Sequence, residues 1–324
     1  MKGRKTIELK VNKVKFEIVV ERKVTVIKGD SGTGKTTFAR AVRLLSTGRA
    51  KVVCNCKELL QFVSGDNSEW ETVIRKCNEK IVVIDEDAGF VQTKEFASVV
   101  TESNCYFILV TRSGRMGYLT YSLESIYEMV TEKSGTSYYT KLYSRYYNQN
   151  LHGTVQPDLV VTEDSKSGYQ MFSEILNCKV VSGFGKDKIT NAIREAINLY
   201  NSIYVIVDGA AFGNCIGGLV SLMQLNETKN IVVFAPESFE YLLLNIGRFK
   251  TLAGDKLINT QDYADVSEYL TWEQFYTDLL KSLCPTVIKD NYRKSKLSVQ
   301  LLETKYKEGI KSQLVDLRQS VFKT

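Results

Sequence analysis

The chain has 324 residues but only one histidine, His152, and three prolines, Pro157, Pro236 and Pro285. A lone imidazole excludes His-rich metal sites and argues against a His-based catalytic triad. With so few prolines, each is expected to mark a boundary. Seven cysteines stand at 54, 56, 77, 105, 178, 215 and 284. Their odd number and the absence of a C-x-x-C pair speak for reduced thiols in a cytoplasmic protein rather than a disulfide framework. No uncharged apolar run approaches the roughly 18 residues of a membrane-spanning helix. The first ten residues alternate charge with apolar character, so no signal peptide and no membrane partner are expected.

What is present suits a folded protein: 44% hydrophobic and 25% charged residues support a real core. At about 150 residues per domain, two domains are expected. The net charge is +6 but uneven. Residues 1–28 carry +6, residues 289–323 carry +5, and the rest is mildly acidic. Basic termini fit a polyanion partner, or simply a solvated lysine-rich surface.

Strand and helix signals alternate along most of the chain. Short strands are expected at 6–10, 15–20, 24–28, 51–53, 81–84 and 106–110, with helices at 36–45, 68–76 and 93–101. Alternation at 126–132 and 137–144 around Ser134-Gly135-Thr136 reads as a tyrosine-rich hairpin. Residues 148–157 read as a linker. The rhythm resumes with strands at 159–162, 179–181, 203–207 and 231–234, and helices at 167–176, 188–200, 219–225 and 236–246. Such alternation points to βαβ units and parallel sheets. From 267 onward the pattern is helical: Thr271-Trp272-Glu273-Gln274 opens a helix that Pro285 is expected to end, and another is expected over 299–321. The expected architecture is α/β: residues 1–150 a nucleotide-binding domain, 151–260 a second α/β domain, and 261–324 a helical segment.

Residues 29–36 read Gly-Asp-Ser-Gly-Thr-Gly-Lys-Thr, which matches G-x-x-x-x-G-K-[ST] between an expected strand and an expected helix. Glycines let successive backbone N–H groups converge on phosphate, and the helix N-terminus adds its positive end. Gly29, Asp30, Ser31, Gly32, Thr33, Gly34, Lys35, Thr36 and Thr37 are therefore candidate nucleotide contacts. Lys35 is aimed at the β- and γ-phosphates, and Thr36 at Mg²⁺. The apolar strand at 81–84 ends in Asp85-Glu86. Asp85 is the second candidate Mg²⁺ ligand, and Glu86 the candidate that orients or deprotonates water. Thr111, at the end of the next strand, is placed to sense the γ-phosphate. The expected cofactors are ATP and Mg²⁺.

These features, over residues 1–115, resemble a compact P-loop ATPase of the ABC and OLD type. The resemblance departs in one respect: only about 35 residues separate Ala50 from Asp85, with no LSGGQ-like signature. If a second copy completes the site in a homo-oligomer, Arg112 or Arg115 are candidate arginine fingers.

In the second half, Glu163 follows the first strand and Asp208 the third. In a parallel sheet both reach one edge. With Gly183-Phe184-Gly185-Lys186 between them, residues 157–246 resemble the TOPRIM fold of topoisomerases, primases and OLD-type nucleases. The resemblance implies Mg²⁺ at Glu163 and Asp208 and phosphodiester chemistry on DNA or RNA. The second aspartate of that family's Asp-x-Asp is Ala210 here. Asp164, Glu237 or Glu240 could stand in, or the domain only binds. In the plainer alternative, strand-end acids merely cap helices.

The whole layout also resembles small bacterial ATP-binding proteins loosely labelled translation initiation factors, through 162–172, 208–213 and 236–244. No N-K-x-D motif for GTP supports that label.

Three functions stay open on these residues: an ATP-gated nuclease, perhaps in defence, a non-nucleolytic ATP-dependent switch with a protein partner, and a small-molecule kinase. Tyr138, Tyr139, Tyr143, Tyr146 and Tyr147, interleaved with Lys141 and Arg145, are read as hairpin packing or as a single-strand contact.

Overall fold

A computed structural model describes residues 1–11, 14–29, 33–47, 52–85, 88–112, 116–131, 136–141 and 155–323, with backbone alone at 46–47, 130–131 and 136–141. The chain is α/β and divides into two compact units. Unit 1 comprises Met1–Tyr143 and Asn259–Thr271, and unit 2 comprises Ser144–Ile258 and Trp272–Thr324. The chain therefore passes between the units three times. The 261–324 segment is not separate: a short strap belongs to unit 1 and the helices after it to unit 2.

Unit 1 opens with β1 (Lys5–Val11) and β2 (Val14–Val20), paired antiparallel as their alternating burial predicts. Then follow β3 (Val24–Lys28), α1 (Lys35–Thr47), β4 (Val52–Cys54), β5 (Leu60–Val63), α2 (Trp70–Arg75), β6 (Ile81–Ile84), α3 (Lys94–Glu102), β7 (Tyr106–Thr111), β8 (Ile126–Thr131) and β9 (Thr136–Lys141). The sheet order is β4-β1-β2-β9-β8-β3-β7-β6-β5. The run β8-β3-β7-β6-β5, which ends at an edge of the sheet, is parallel throughout.

The residues at 51–53 read as a buried strand. That strand is instead an antiparallel edge partner of β1, with Val53 exposed. The fifth parallel strand is β5, whose half-buried Leu-Gln-Phe-Val gives a weak pattern. β6 and β7 are buried on every residue, so alternate side chains serve two layers. Ile81, Val83, Tyr106 and Ile108 join Phe16, Phe38 and Val42 in one core cluster. Phe107 meets Phe96 of α3 edge-on at 6.3 Å, and Phe96 in turn packs on Phe90 and Trp70.

Unit 2 runs β10 (Leu159–Thr162), α4 (Ser167–Ile175), β11 (Lys179–Ser182), α5 (Lys186–Ala196), β12 (Ser202–Ile206), α6 (Ile216–Leu225), β13 (Asn230–Phe234), α7 (Phe239–Leu244) and α8 (Gly247–Ala253). The four strands pair in parallel, in the order β11-β10-β12-β13. After the strap come α9 (Trp272–Val287) and α10 (Thr304–Lys311).

Two expectations are corrected here. α9 continues two residues past Pro285, because a proline in the last turn forfeits only one helical hydrogen bond. The helix expected over 299–321 breaks up: α10 ends at Lys311, Asp316 takes φ +65°, and Leu317 and Phe322 bridge back to Val155 and Leu176. Among the described residues no helix is long and apolar enough to cross a membrane.

Candidate functional sites, one in each unit

In unit 1, β3 feeds directly into the glycine-rich loop. Asp30, Ser31 and Gly32 lie outside the described residues, as do Glu86 and Arg115. The flanks are defined. Gly34 sits at φ +99°, a conformation that side chains disfavour, and its carbonyl accepts the Phe38 N–H at 2.9 Å to start α1. Lys35 is 3% exposed. Its ammonium donates to the Gly29 carbonyl at 2.5 Å and to Thr33 Oγ1 at 3.3 Å. The lysine thus closes back over its own loop. Thr36 and Thr37 are exposed, as is Arg112.

The register brings the other candidates to the same sheet edge. Lys28, the last residue before the loop, pairs with Thr111 of β7 on one side and Glu128 of β8 on the other. Ile84 pairs with Leu109, so Asp85 leaves β6 at that edge too, one strand beyond β7. Asp85 is half-buried and Thr111 buried. The carboxyl ends of parallel strands, at a reversal of strand order, form the crevice where such sheets bind ligands.

Glu128 is a residue that sequence reasoning missed. Its Cγ would lie 3.7 Å from a β-carbon placed on Gly29. Its strand position inside an apparent packing hairpin hid it.

The residues present fit a nucleotide with Mg²⁺. A nearly buried ammonium already holds two oxygen acceptors, and an exposed hydroxyl, Thr36, follows it on α1.

In unit 2, Glu163 and Asp208 meet as the topology predicts. The Asp208 N–H donates to Glu163 Oε2 at 3.0 Å. Asp208 Oδ1 accepts the Phe239 N–H at 3.2 Å. Burial pushes the Glu163 carboxyl up to about 7; the Asp208 N–H, Lys186 and Lys294 only partly oppose it, and Glu273 adds to it. Burial also raises Asp208, helped by the carboxylates of Glu273, Glu163 and Glu240.

Glu240 lies fully buried beside this pair. Its Oε1 accepts the Tyr292 hydroxyl at 2.8 Å and lies 3.8 Å from Lys294 Nζ. Its Oε2 has no hydrogen-bond partner, and burial raises its pKa. Lys294 pairs with Glu273 at 2.6 Å. Burial opposes its charge, yet Glu240, Glu273 and Asp208 hold its pKa above the usual lysine value. Glu273, Tyr292 and Lys294 come from the chain after the strap, too far along the sequence to be foreseen.

The proposed stand-in acids separate. Asp164 caps α4, accepting the Lys166 N–H at 2.8 Å and the Gly168 N–H at 2.6 Å, so it plays the plainer role. The Glu237 carbonyl accepts the Ala210 N–H at 3.0 Å. Glu240 joins the acid group, its charge acting on Asp208. Ala210 itself is buried.

Among the described residues no group of three or more His, Cys, Asp or Glu side chains is arranged to hold a metal ion. Glu163 accepts through Oε2 and Asp208 through Oδ1. Two carboxylates suit one Mg²⁺ that retains much of its water; they do not suit a two-metal centre.

Comparisons with protein-family models, with curated proteins and with solved structures find no match to this chain.

Proposed function

We propose that unit 1 binds ATP with Mg²⁺ at the loop 29–36 and hydrolyses it slowly, and that unit 2 is a TOPRIM-like output module acting on nucleic acid. The observation that carries the reading is the sheet order of unit 1. It sets the ends of β3, β7 and β6, and so the loop, Thr111 and Asp85, along one edge. Backbone N–H groups of the loop and the start of α1 hold the phosphates. Lys35 trades its bonds to Gly29 and Thr33 for the β- and γ-phosphate oxygens. Thr36 and Asp85 would hold the metal, Thr111 would stand at the γ-phosphate end of the site, and Glu86 would orient the attacking water. Bound Mg²⁺ neutralises charge on the phosphates. In unit 2, Glu163 and Asp208 hold one Mg²⁺, with Lys294 balancing the neighbouring carboxylates.

The test is Mg²⁺-dependent ATP hydrolysis with and without plasmid DNA, the DNA then being resolved on a gel. Hydrolysis lost in Lys35→Ala and nicking lost in Asp208→Asn support both halves. Wild-type protein that neither binds nor hydrolyses ATP overturns the first half.

One observation favours a second reading, a non-nucleolytic switch. Ala210 is buried and bonded to the loop after β13, where the TOPRIM resemblance requires an acid. Hydrolysis with intact DNA, unchanged by Asp208→Asn, selects this reading.

A further inference from the structure

The loop after β11 holds an aromatic ring in the open. Phe184 is 70% exposed and sits at φ +56°, a conformation rare for a bulky residue. Its neighbours fix it there. The Gly183 N–H donates to the Thr162 carbonyl at 2.8 Å and the Gly185 N–H to the Glu163 carbonyl at 2.9 Å. The Phe184 N–H donates to Ser182 Oγ at 2.9 Å. A β-carbon on Gly183 would stand 2.9 Å from Ile189 Cα, and Gly185 takes φ +103°. Glycine is thus required on both sides of the ring. The loop is pinned to the backbone of the very residue whose carboxylate meets Asp208.

Charged side chains flank the loop along the chain: Lys186 opens α5 immediately after it, exposed Asp187 and Lys188 follow, and exposed Lys166 leads into α4 from the end of β10, the strand paired with β11. An exposed ring held in a strained backbone does not serve the core, and strain of this kind is kept where surrounding structure imposes it for use. An exposed ring followed along the chain by two lysines, on a loop bonded to the backbone of Glu163, suits a ligand with a flat π-face and a polyanionic backbone.

We propose that Phe184 is a base-stacking platform, and that the ligand of this edge is a nucleic-acid strand with an unpaired base. Lys186 and Lys188 meet its phosphates. The inference rests on the reading of unit 2 as acting on nucleic acid and adds which form of nucleic acid it takes. Duplex DNA hides its base faces within the stack, so it can use the lysines but not the ring.

The experiment is fluorescence anisotropy of the full chain with a labelled short single strand, as DNA and as RNA, and with the matching duplex. Metal is withheld, so that binding is read without cleavage. The wild type is expected to bind one of the single strands more tightly than the duplex. Phe184→Ala weakens the single strand roughly tenfold or more, leaves the duplex unchanged, and is rescued by Phe184→Trp. Lys188→Ala weakens both ligands alike and flattens the salt dependence. An exposed side chain is removed in each case, and a thermal melt confirms the fold.

Single-strand affinity unchanged in Phe184→Ala overturns the proposal. If wild-type protein still nicks plasmid and Asp208→Asn does not, the reading of unit 2 survives that failure. Wild type that neither binds nor cuts any nucleic acid overturns both, and directs the exposed ring to a protein partner.

Discussion

Single residues decide the chemistry available at each sheet edge. Glu163 holds its proton to about pH 7 in the folded chain, whereas the free side chain releases it near 4.5. Between those values the folded state binds more protons than the unfolded, so stability falls as pH rises. Glu163→Gln removes this dependence while still accepting the Asp208 N–H. Urea melts of metal-free protein are expected to show the variant more stable at pH 8 by roughly 1–3 kcal/mol, with no gain at pH 4. Equal gains at both values would sink the explanation. Gly209 makes a packing test. A β-carbon there stands 2.7 Å from the Ala235 carbonyl oxygen and 2.9 Å from that of Pro236, both backbone atoms that cannot swing away. Gly209→Ala is expected to cost about 1–3 kcal/mol in the same melts.

At the scale of elements, the strap Asn259–Thr271 is held by a buried cation. Lys23 is 2% exposed, and its ammonium donates to the carbonyls of Thr101 at 2.7 Å and Val266 at 2.6 Å. Burial brings its pKa down to about 8. Lys23→Met keeps the apolar stem and strips both carbonyls of their donor. A loss of about 1–3 kcal/mol is expected, with faster amide exchange at Val266, whose N–H donates to the Met1 carbonyl. Unchanged exchange there would show that the strap is held by other contacts.

Much of this level was legible in the sequence. The apolar runs expected as strands at 81–84, 106–110, 159–162 and 203–207 form β6, β7, β10 and β12, and the helix expected over 93–101 forms α3, with Thr93 as its cap. Other parts were not legible. β5 is half-buried and so lacks a clean period, and β4 is Val-Val-Cys yet lies at an edge. The strap's return to unit 1 depends on pairing with residues more than 200 positions earlier, which no local pattern encodes.

For the whole molecule, two sheets with parallel strands at the site each collect acids and a glycine loop at the carboxyl ends of those strands. In unit 1 the loop motif named Lys35 and Thr36 as candidates, because the spacing of such a loop is fixed by phosphate geometry, and the end of the apolar strand 81–84 named Asp85. In unit 2 strand ends named Glu163 and Asp208, and Glu240 was one of three stand-in acids offered, but Glu273 and Lys294 reach the pair only through tertiary folding. Ligand linkage separates the two units. ATP with Mg²⁺ at about a hundred times its dissociation constant stabilises the state that binds it by about 2.7 kcal/mol. Amide exchange is expected to slow in β3, α1 and β7, and not in β10 or β12. Equal slowing throughout both units would place the nucleotide elsewhere.

The most direct measurement is equilibrium binding of ATP to the intact chain, with and without Mg²⁺, for wild type, Lys35→Ala and Thr36→Ala. The account predicts saturable binding by the wild type and a loss of roughly ten- to a hundredfold in Lys35→Ala, the worth of charge-assisted phosphate bonds. It also predicts that Thr36→Ala weakens binding only when Mg²⁺ is present. ATP affinity that is indifferent to Lys35, or undetectable in the wild type, would contradict it.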